Sequence, residues 1–432
     1  MLRSFRVANH RSIRAAQELV LLPAYDKSRP VIPVAALYGA NASGKSNLLD
    51  ALRWMRQAVV DSFASWTPGG GVPRVPFKLD HAATREPTEL AVDLVLDGER
   101  HYYGFVVDNA GVREEWLHTF PTGRRRVIFE RTGDEWTFGS TVRGPMESTR
   151  ERTRPNALFL SVAAHSNVTS CERLFRWFLD DLTHADPAAE VGSDIRRAFL
   201  PDSPLRPIVL DLVRIADLGI TDVVLATAHD TEPTVTPSDA VADPRWRLVN
   251  SLIEVDLLQP ADVAAIGDVL MSVLSGRLLF FHGDHPVPLN VHEESAGTRT
   301  WLNLTVAIAA ALAGPKILLL DEADTTLHPH LARHLVNLFR NPETNPLGAQ
   351  LIFTSHDATM LDEDTLSRDE IWFVEKDPTA QTTRLYSLAE FRPRKHENTE
   401  RRYLAGSYGA VPVLSETALR RAVARGTDPD AA

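Results

Sequence analysis

Residues Gly39 to Ser46 read G-A-N-A-S-G-K-S and carry the plainest chemical pattern in the sequence. Glycines at both ends let backbone N–H groups wrap phosphate oxygens, and a helix opening at Lys45 adds the positive end of its dipole. In this pattern Lys45 reaches the β- and γ-phosphates of a nucleoside triphosphate and Ser46 ligates Mg²⁺. Gly39, Ala40, Asn41, Ala42, Ser43, Gly44, Lys45, Ser46 and Asn47 are therefore the expected nucleotide contacts. A Gly-rich turn can match by accident. Here, however, an apolar run, Val31 to Tyr38, precedes the loop and helical spacing, Asn47 to Val60, follows it, which is the strand, loop and helix the chemistry needs.

Three further stretches supply groups that a phosphate loop lacks. "ILLLDEAD", Ile317 to Asp324, reads as a buried strand delivering two acids at its carboxyl end, where open α/β sheets bind ligands. Asp321 is expected to hold Mg²⁺ and Glu322 to orient and deprotonate the attacking water; the plainer alternative is that such acids cap the next helix. "QLIFTSHD", Gln350 to Asp357, repeats the arrangement with His356 at the strand end, where an imidazole can hydrogen-bond a γ-phosphate, although a lone His is more often an ordinary surface or core residue. In "EESAGTRTWLNL", Glu293 to Leu304, Ser295, Ala296, Gly297 and Thr298 open an apolar helix and form either a second anion-binding device or an ordinary Ser N-cap.

The elements around these groups follow α/β grammar. Strand, loop and helix at the start are answered, from Trp301 on, by helix, strand (Ile317 to Leu320), helix, strand (Gln350 to Thr354) and a strand at Ile371 to Val374, the order of a parallel sheet. Between them, "LAVDLVL", "HYYGFVV", "RRVIFER" and "EWTFG" alternate within Phe77 to Phe138, the rhythm of antiparallel hairpins. Ala157 to Phe178 and Ile195 to Ala216 have helical spacing, and Glu232 to Pro244 is a Pro- and Thr-rich surface loop. The expected organisation is a β-rich lobe with the phosphate loop in 1–160, a mainly helical insertion in 165–285, the second half of the nucleotide-binding domain in 286–400 and a tail in 401–432. No sustained heptads suggest coiled-coil arms, and no internal repeat is present.

Composition bounds the function class. A chain of 432 residues with 44% hydrophobic and 24% charged residues has ample material for a core. A formal net charge of -11 argues against wholesale coating of nucleic acid but leaves room for a local basic strip. Cys171 is the only cysteine, which excludes an intramolecular disulfide or a Cys-rich zinc site and reads as a buried small hydrophobe. The run Trp301 to Leu320 is broken by Gly314, Pro315 and Lys316, so no membrane span is expected. "MLRSFRVANHRSIR" lacks a signal-peptide core, and a cytoplasmic location is expected.

The order of phosphate loop, Ser-x-Gly stretch, Asp-Glu strand and late His resembles the ABC-type ATPases of the SMC, Rad50 and RecF branch. More narrowly, "NHRS", "ESAGT", "DEADTTLHPHL", "TSHDATMLD", "IWFVEKD" and "RPRKHENTERRYLAGSYGAVPVL" resemble the ATPases of two-gene bacterial phage-defence modules called RloA or AbiL. Their relatives include the ATPase parts of Septu, PARIS and OLD systems. The resemblance covers both ends of the chain. It implies an ABC-type fold with a mixed or antiparallel β lobe and a helical insertion, using ATP and Mg²⁺. It further implies a homodimer sandwiching two ATP molecules, with Lys45, Asp321, Glu322 and His356 acting in cis and Ser295 to Thr298 in trans. Asp324 to Leu327, beside His328, falls where such ATPases cross the dimer interface. The implied role is sensor and regulator of a separately encoded nuclease in anti-phage defence. No nuclease domain of the OLD kind is expected in the stretch after His356.

One departure, a set of basic runs with two readings, and two rivals accompany that resemblance. No Gln fits the usual Q-loop: Gln57 lies on the helix after the phosphate loop, and "PFKLD" around Phe77 is the candidate replacement. "RPRKHENTERR", Arg392 to Arg402, together with Arg124 to Arg126 and Arg150 to Arg154, could touch nucleic-acid phosphate, though compensating acids favour a solvated face. The rivals are a RecF-like DNA-repair or chromosome-maintenance ATPase that binds DNA directly, and a scaffold with a degenerate site. The presence of Lys45, Ser46, Asp321, Glu322 and His356 speaks against the scaffold.

Overall fold

A computed structural model describes residues 1–140, 142–186, 192–216, 219–226, 276–324 and 328–411. The chain divides into two compact units, a terminal unit of Leu2–Glu172 with Thr354–Ala432 and a central unit of Arg173–Phe353 with Met1.

The terminal unit opens with β1 (Leu2–Ala8), β2 (Gln17–Val20), β3 (Val34–Tyr38) and α1 (Lys45–Asp61), followed by β4 (Thr88–Leu96), β5 (Glu99–Val107), β6 (Val112–Thr119), β7 (Arg126–Thr132) and β8 (Glu135–Phe138). All of these strands except β3 form one antiparallel sheet in the order β2-β1-β4-β5-β6-β7-β8. Leu2, Phe5 and Val7 are all fully buried although Leu2 and Phe5 are three apart. A bulge reconciles them: Leu2 pairs with Leu94 and Ser4 with Asp93, so two residues of β1 oppose one of β4. The hairpin expectation holds for β4, β5, β7 and β8, but β6 was not among the alternating segments. Its pattern is hidden by Glu115, a carboxylate that is fully buried on the inward face. Two short helices follow, α2 (Met146–Arg152) and α3 (Phe159–Ala164). Glu115 accepts hydrogen bonds from the Phe159 and Leu160 N–H groups at 2.6 and 2.9 Å and from the Tyr103 hydroxyl at 3.1 Å, tying the start of α3 to the sheet.

The chain passes to the central unit within α4 (Thr169–Arg176), where Cys171 is buried and unpaired. β9 (Leu182–Ala185), α5 (Ser193–Ala198), α6 (Arg206–Ile215), β10 (Ile220–Ala226), β11 (Arg277–His282), β12 (Leu289–Asn290), α7 (Ala296–Leu312), β13 (Ile317–Leu320) and α8 (Pro329–Arg340) follow, and the chain leaves the unit within β14 (Gln350–Ser355). β13 runs parallel to both β9 and β14. β10, β11 and β12 form an antiparallel sheet. α7 is apolar around most of its circumference because it packs on α5, α6, β9 and β13 at once. Leu302, Val306 and Ala309 of α7 join Phe199, Val213, Val223 and Phe280 in the core.

The span 165–285 was expected to be mainly helical; its described part also holds β9, β10 and β11. β9 is four residues long and its partner, β13, lies over a hundred positions later, so no local pattern announces it. Glu232 to Pro244 falls outside the described residues.

Back in the terminal unit, β15 (Ile371–Lys376) lies parallel to β3 and antiparallel to β16 (Thr383–Ser387), and α9 (Thr399–Leu404) follows. β3 is buried along its whole length, as a strand covered on both faces must be. The closing motif packs here: the rings of Tyr403 and Tyr408 both stack on Phe373 of β15, at 5.5 and 5.4 Å. Among the described residues, no helix is long and apolar enough to cross a membrane. The fold is mixed α/β, with antiparallel and mixed sheets.

Candidate nucleotide-binding site

In the terminal unit β3 ends at Tyr38 and α1 begins at Lys45, so the expected phosphate loop is a tight turn from a buried strand into a helix. α1 is fixed by a stripe of buried side chains, Leu48, Leu52, Met55 and Val59, at helical spacing. Its N-terminus has no side-chain cap, and Gly44 holds φ 108°, in the left-handed region; the positive end of a helix dipole suits an anion.

The loop leaves no room for side chains at its two glycines. A Cβ on Gly39 would lie 2.2 Å from the Val374 carbonyl oxygen, and one on Gly44 would lie 2.2 Å from Thr383 Oγ1 and 2.8 Å from Ser12 Oγ. Lys45 is buried, its Nζ donating to the Gly39 and Ala40 carbonyls at 2.9 and 3.2 Å. The same Nζ stands 3.5 Å from Nδ1 of His356. The structure therefore brings the phosphate-loop lysine and the late histidine together across 311 positions. Ser46 is exposed and Asn47 half-buried on the first turn of α1.

Several loop partners were not foreseen as site residues. The Thr383 hydroxyl donates to the Ser43 carbonyl at 2.8 Å and meets Ser12 Oγ at 2.7 Å, and Asn47 Nδ2 donates to Ser12 Oγ at 2.6 Å. Asp50, one turn along α1, accepts from His10 Nε2 at 2.8 Å and from Arg11. Burial works to raise the Asp50 carboxyl, but the hydrogen bonds from His10 and Arg11 outweigh it and hold the group below its ordinary value. Ser12, His10 and Arg11 lie in the "NHRS" motif, which was a usable signal; Thr383 sits in "TTRLYS", which offers none. In "PFKLD", the Phe77 N–H donates to Asn9 Oδ1 at 3.0 Å, so that segment is anchored to the same motif.

The central unit holds the other expected groups. β13 is fully buried, Asp321 is half-buried at its end and Glu322 is exposed. Glu322 has φ 51°, a conformation that costs a non-glycine residue free energy and is enriched at functional sites. Ser295 caps α7, its Oγ accepting from the Thr298 N–H at 3.1 Å, while Ser295, Ala296 and Gly297 remain exposed and Thr298 is buried. Below them, Glu294 is buried and 2.7 Å from His282 Nε2. Of the expected interface loop, residues 325–327 lie outside the described residues; His328 caps α8, accepting from the His330 N–H at 3.3 Å.

Part of each basic run is satisfied internally. Arg125 pairs with Glu130, Arg126 with Glu99, Arg150 with Glu147 and Arg402 with Glu397. Arg154 donates to the Ser62, Phe63 and Trp66 carbonyls beyond the end of α1.

Residues 34–362 match the family described as "AAA domain, putative AbiEii toxin, Type IV TA system". The chain belongs to this AAA-type ATPase family. The match begins at β3 and runs past His356, so it takes in the phosphate loop, Ser295 to Thr298, Asp321, Glu322 and His356. Ser12 and Thr383, which brace the loop, lie outside it. Among solved structures, an SMC head bound to the C-terminal winged-helix domain of ScpA is similar at 12% identity, covering 90% of this chain and 99% of that one, with a TM-score of 0.42. The Smc head domain of Pyrococcus furiosus, with an extended coiled coil and bound to the C-terminal domain of ScpA, is similar at 12% identity over 90% of this chain and 97% of that one, with a TM-score of 0.40. No curated protein matches the sequence of this AAA-family ATPase.

Proposed function

We propose that this AAA-family protein binds and hydrolyses MgATP, dimerises on ATP in the ABC manner, and serves as the sensor and regulatory subunit of an anti-phage defence module whose nuclease is encoded separately. The observation that carries the nucleotide reading is the position of Lys45 Nζ, held by the Gly39 and Ala40 carbonyls and 3.5 Å from His356. The loop suits a polyphosphate: two glycines without space for a side chain, a helix start without a side-chain cap and a buried lysine. The defence role rests on the resemblance of the motifs alone.

Each residue has a task in this reading. Backbone N–H groups of Gly39 to Asn47 bind the phosphates and Lys45 neutralises them. Ser46 and Asp321 offer oxygen ligands for Mg²⁺, which supplies positive charge to the phosphate oxygens when bound. Glu322 orients the attacking water and takes its proton, and His356 hydrogen-bonds the γ-phosphate. Ser295 to Thr298 serve the nucleotide of a second copy. Gly297 supports that assignment: a Cβ there would meet only Ser295 Oγ, at an ordinary 3.7 Å. The fold of the chain itself thus has no need of a glycine at this exposed position, whereas a closely approaching nucleotide does.

Phosphate release from ATP tests the reading. The wild-type protein should hydrolyse MgATP and Lys45→Ala should not; absence of MgATP binding by the wild type would refute it. Duplex binding by the isolated protein that depends on ATP and falls steeply with salt would favour the RecF-like alternative.

A further inference from the structure

We propose that the β15–β16 hairpin is a clasp on the phosphate loop, with Thr383 and Ser12 as positioning residues that aim its amides at the nucleotide. The inference rests on the nucleotide-binding reading above.

Four hydrogen-bonding groups form a chain whose direction is forced. The Asn47 amide nitrogen can only donate and the Ser43 carbonyl can only accept. Between them, Ser12 Oγ accepts from Asn47 at 2.6 Å and lies 2.7 Å from Thr383 Oγ1, which donates to Ser43 at 2.8 Å. Each hydroxyl has one hydrogen, so Ser12 must donate to Thr383. The chain links the loop before Gly44 to the first turn of α1 and encloses Gly44, Lys45 and Ser46. Such a chain is cooperative, because each bond polarises the next.

The consequence for the nucleotide follows from peptide geometry. In a trans peptide plane the carbonyl and the following N–H point in opposite directions. Fixing the Ser43 carbonyl on Thr383 therefore turns the Gly44 N–H away from the hairpin. The Thr383 N–H donates to the Ser12 carbonyl at 2.8 Å, which locks the two hydroxyl-bearing residues to each other. β15 grips the other end of the loop, where its Val374 carbonyl allows no side chain at Gly39. The hairpin is itself anchored: Tyr403 and Tyr408 stack on Phe373, and the Tyr386 hydroxyl donates to the Tyr408 carbonyl at 2.8 Å. The closing "RRYLAGSYG" motif thus holds the hairpin that holds the loop.

Thr383→Val keeps the shape and removes the hydroxyl; Thr383→Ser keeps the hydroxyl. With MgATP as the probe, Thr383→Val should raise Kd and KM about tenfold with kcat little changed, the size of one lost buried hydrogen bond. Thr383→Ser should stay within about twofold of the wild type, and Ser12→Ala should fall between. A merely structural role would lower the melting temperature and kcat and leave KM unmoved. Hydrogen exchange without nucleotide gives a second readout: residues 43–48 should exchange faster in Thr383→Val than in wild type or Thr383→Ser. Equal exchange in the three proteins, or a serine variant as impaired as the valine one, overturns the clasp. Failure of the wild type to bind MgATP would instead overturn the nucleotide reading and leave the exchange result to judge the clasp.

Discussion

The hydroxyl of Thr383 donates to the carbonyl of Ser43 at 2.8 Å, joining residues 340 positions apart. The phosphate loop is local in sequence, but its conformation is fixed by both ends of the terminal unit: Ser12 before it and the hairpin long after it.

Gly44 is the position most exposed to that constraint. Gly44→Ala places a Cβ in the left-handed region, at a backbone cost of about 1–2 kcal/mol, and 2.2 Å from Thr383 Oγ1. MgATP affinity should fall by more than about tenfold; calorimetric titration of the folded variant checks it.

Glu322→Gln keeps the size of the side chain and removes its basicity. Phosphate release should drop about 100-fold or more, with MgATP affinity near the wild-type value. Single-turnover kinetics measure this, and normal hydrolysis would remove Glu322 from the base role.

Ser295→Arg puts a long cation at the exposed start of α7 in the central unit. ATP binding to the monomer should persist while ATP-driven association is lost. Equal loss of both, measured by titration and light scattering, would refute action in trans.

Glu115 should leave a pH signature in stability. Burial pushes its carboxyl up to about 7, against the opposing pull of the Leu160 and Phe159 N–H groups, Arg131 and Tyr103. The folded state then holds a proton that the unfolded chain releases near its ordinary 4.5. The contribution is fully present below that value and is lost as pH rises through about 7, on the order of 3 kcal/mol in all. Melting temperatures from pH 5 to 8 should fall more steeply in wild type than in Glu115→Gln; parallel curves would contradict this.

How much of this was legible depended on whether a residue's role is local. Gly39 to Ser46, the strands β13 and β14 and the helix α1 announce themselves through periodicity and turn chemistry in consecutive residues. β6 did not, because Glu115 places a carboxylate where an apolar residue is expected and is satisfied by Phe159 and Leu160 some forty positions on. β9 depends on a partner over a hundred positions away. Thr383 is an ordinary threonine in an ordinary strand, and only three-dimensional proximity to Ser43 and Ser12 gives it a function. His356 fell between these cases: the strand before it was readable, its approach to Lys45 was not.

The most direct test of the central claim is sedimentation of Glu322→Gln with and without MgATP. The variant should be a monomer without nucleotide and a stable dimer with MgATP, and no dimer should form when Lys45→Ala or Ser295→Arg is added. A protein that binds MgATP yet keeps the same sedimentation coefficient in every condition would contradict it.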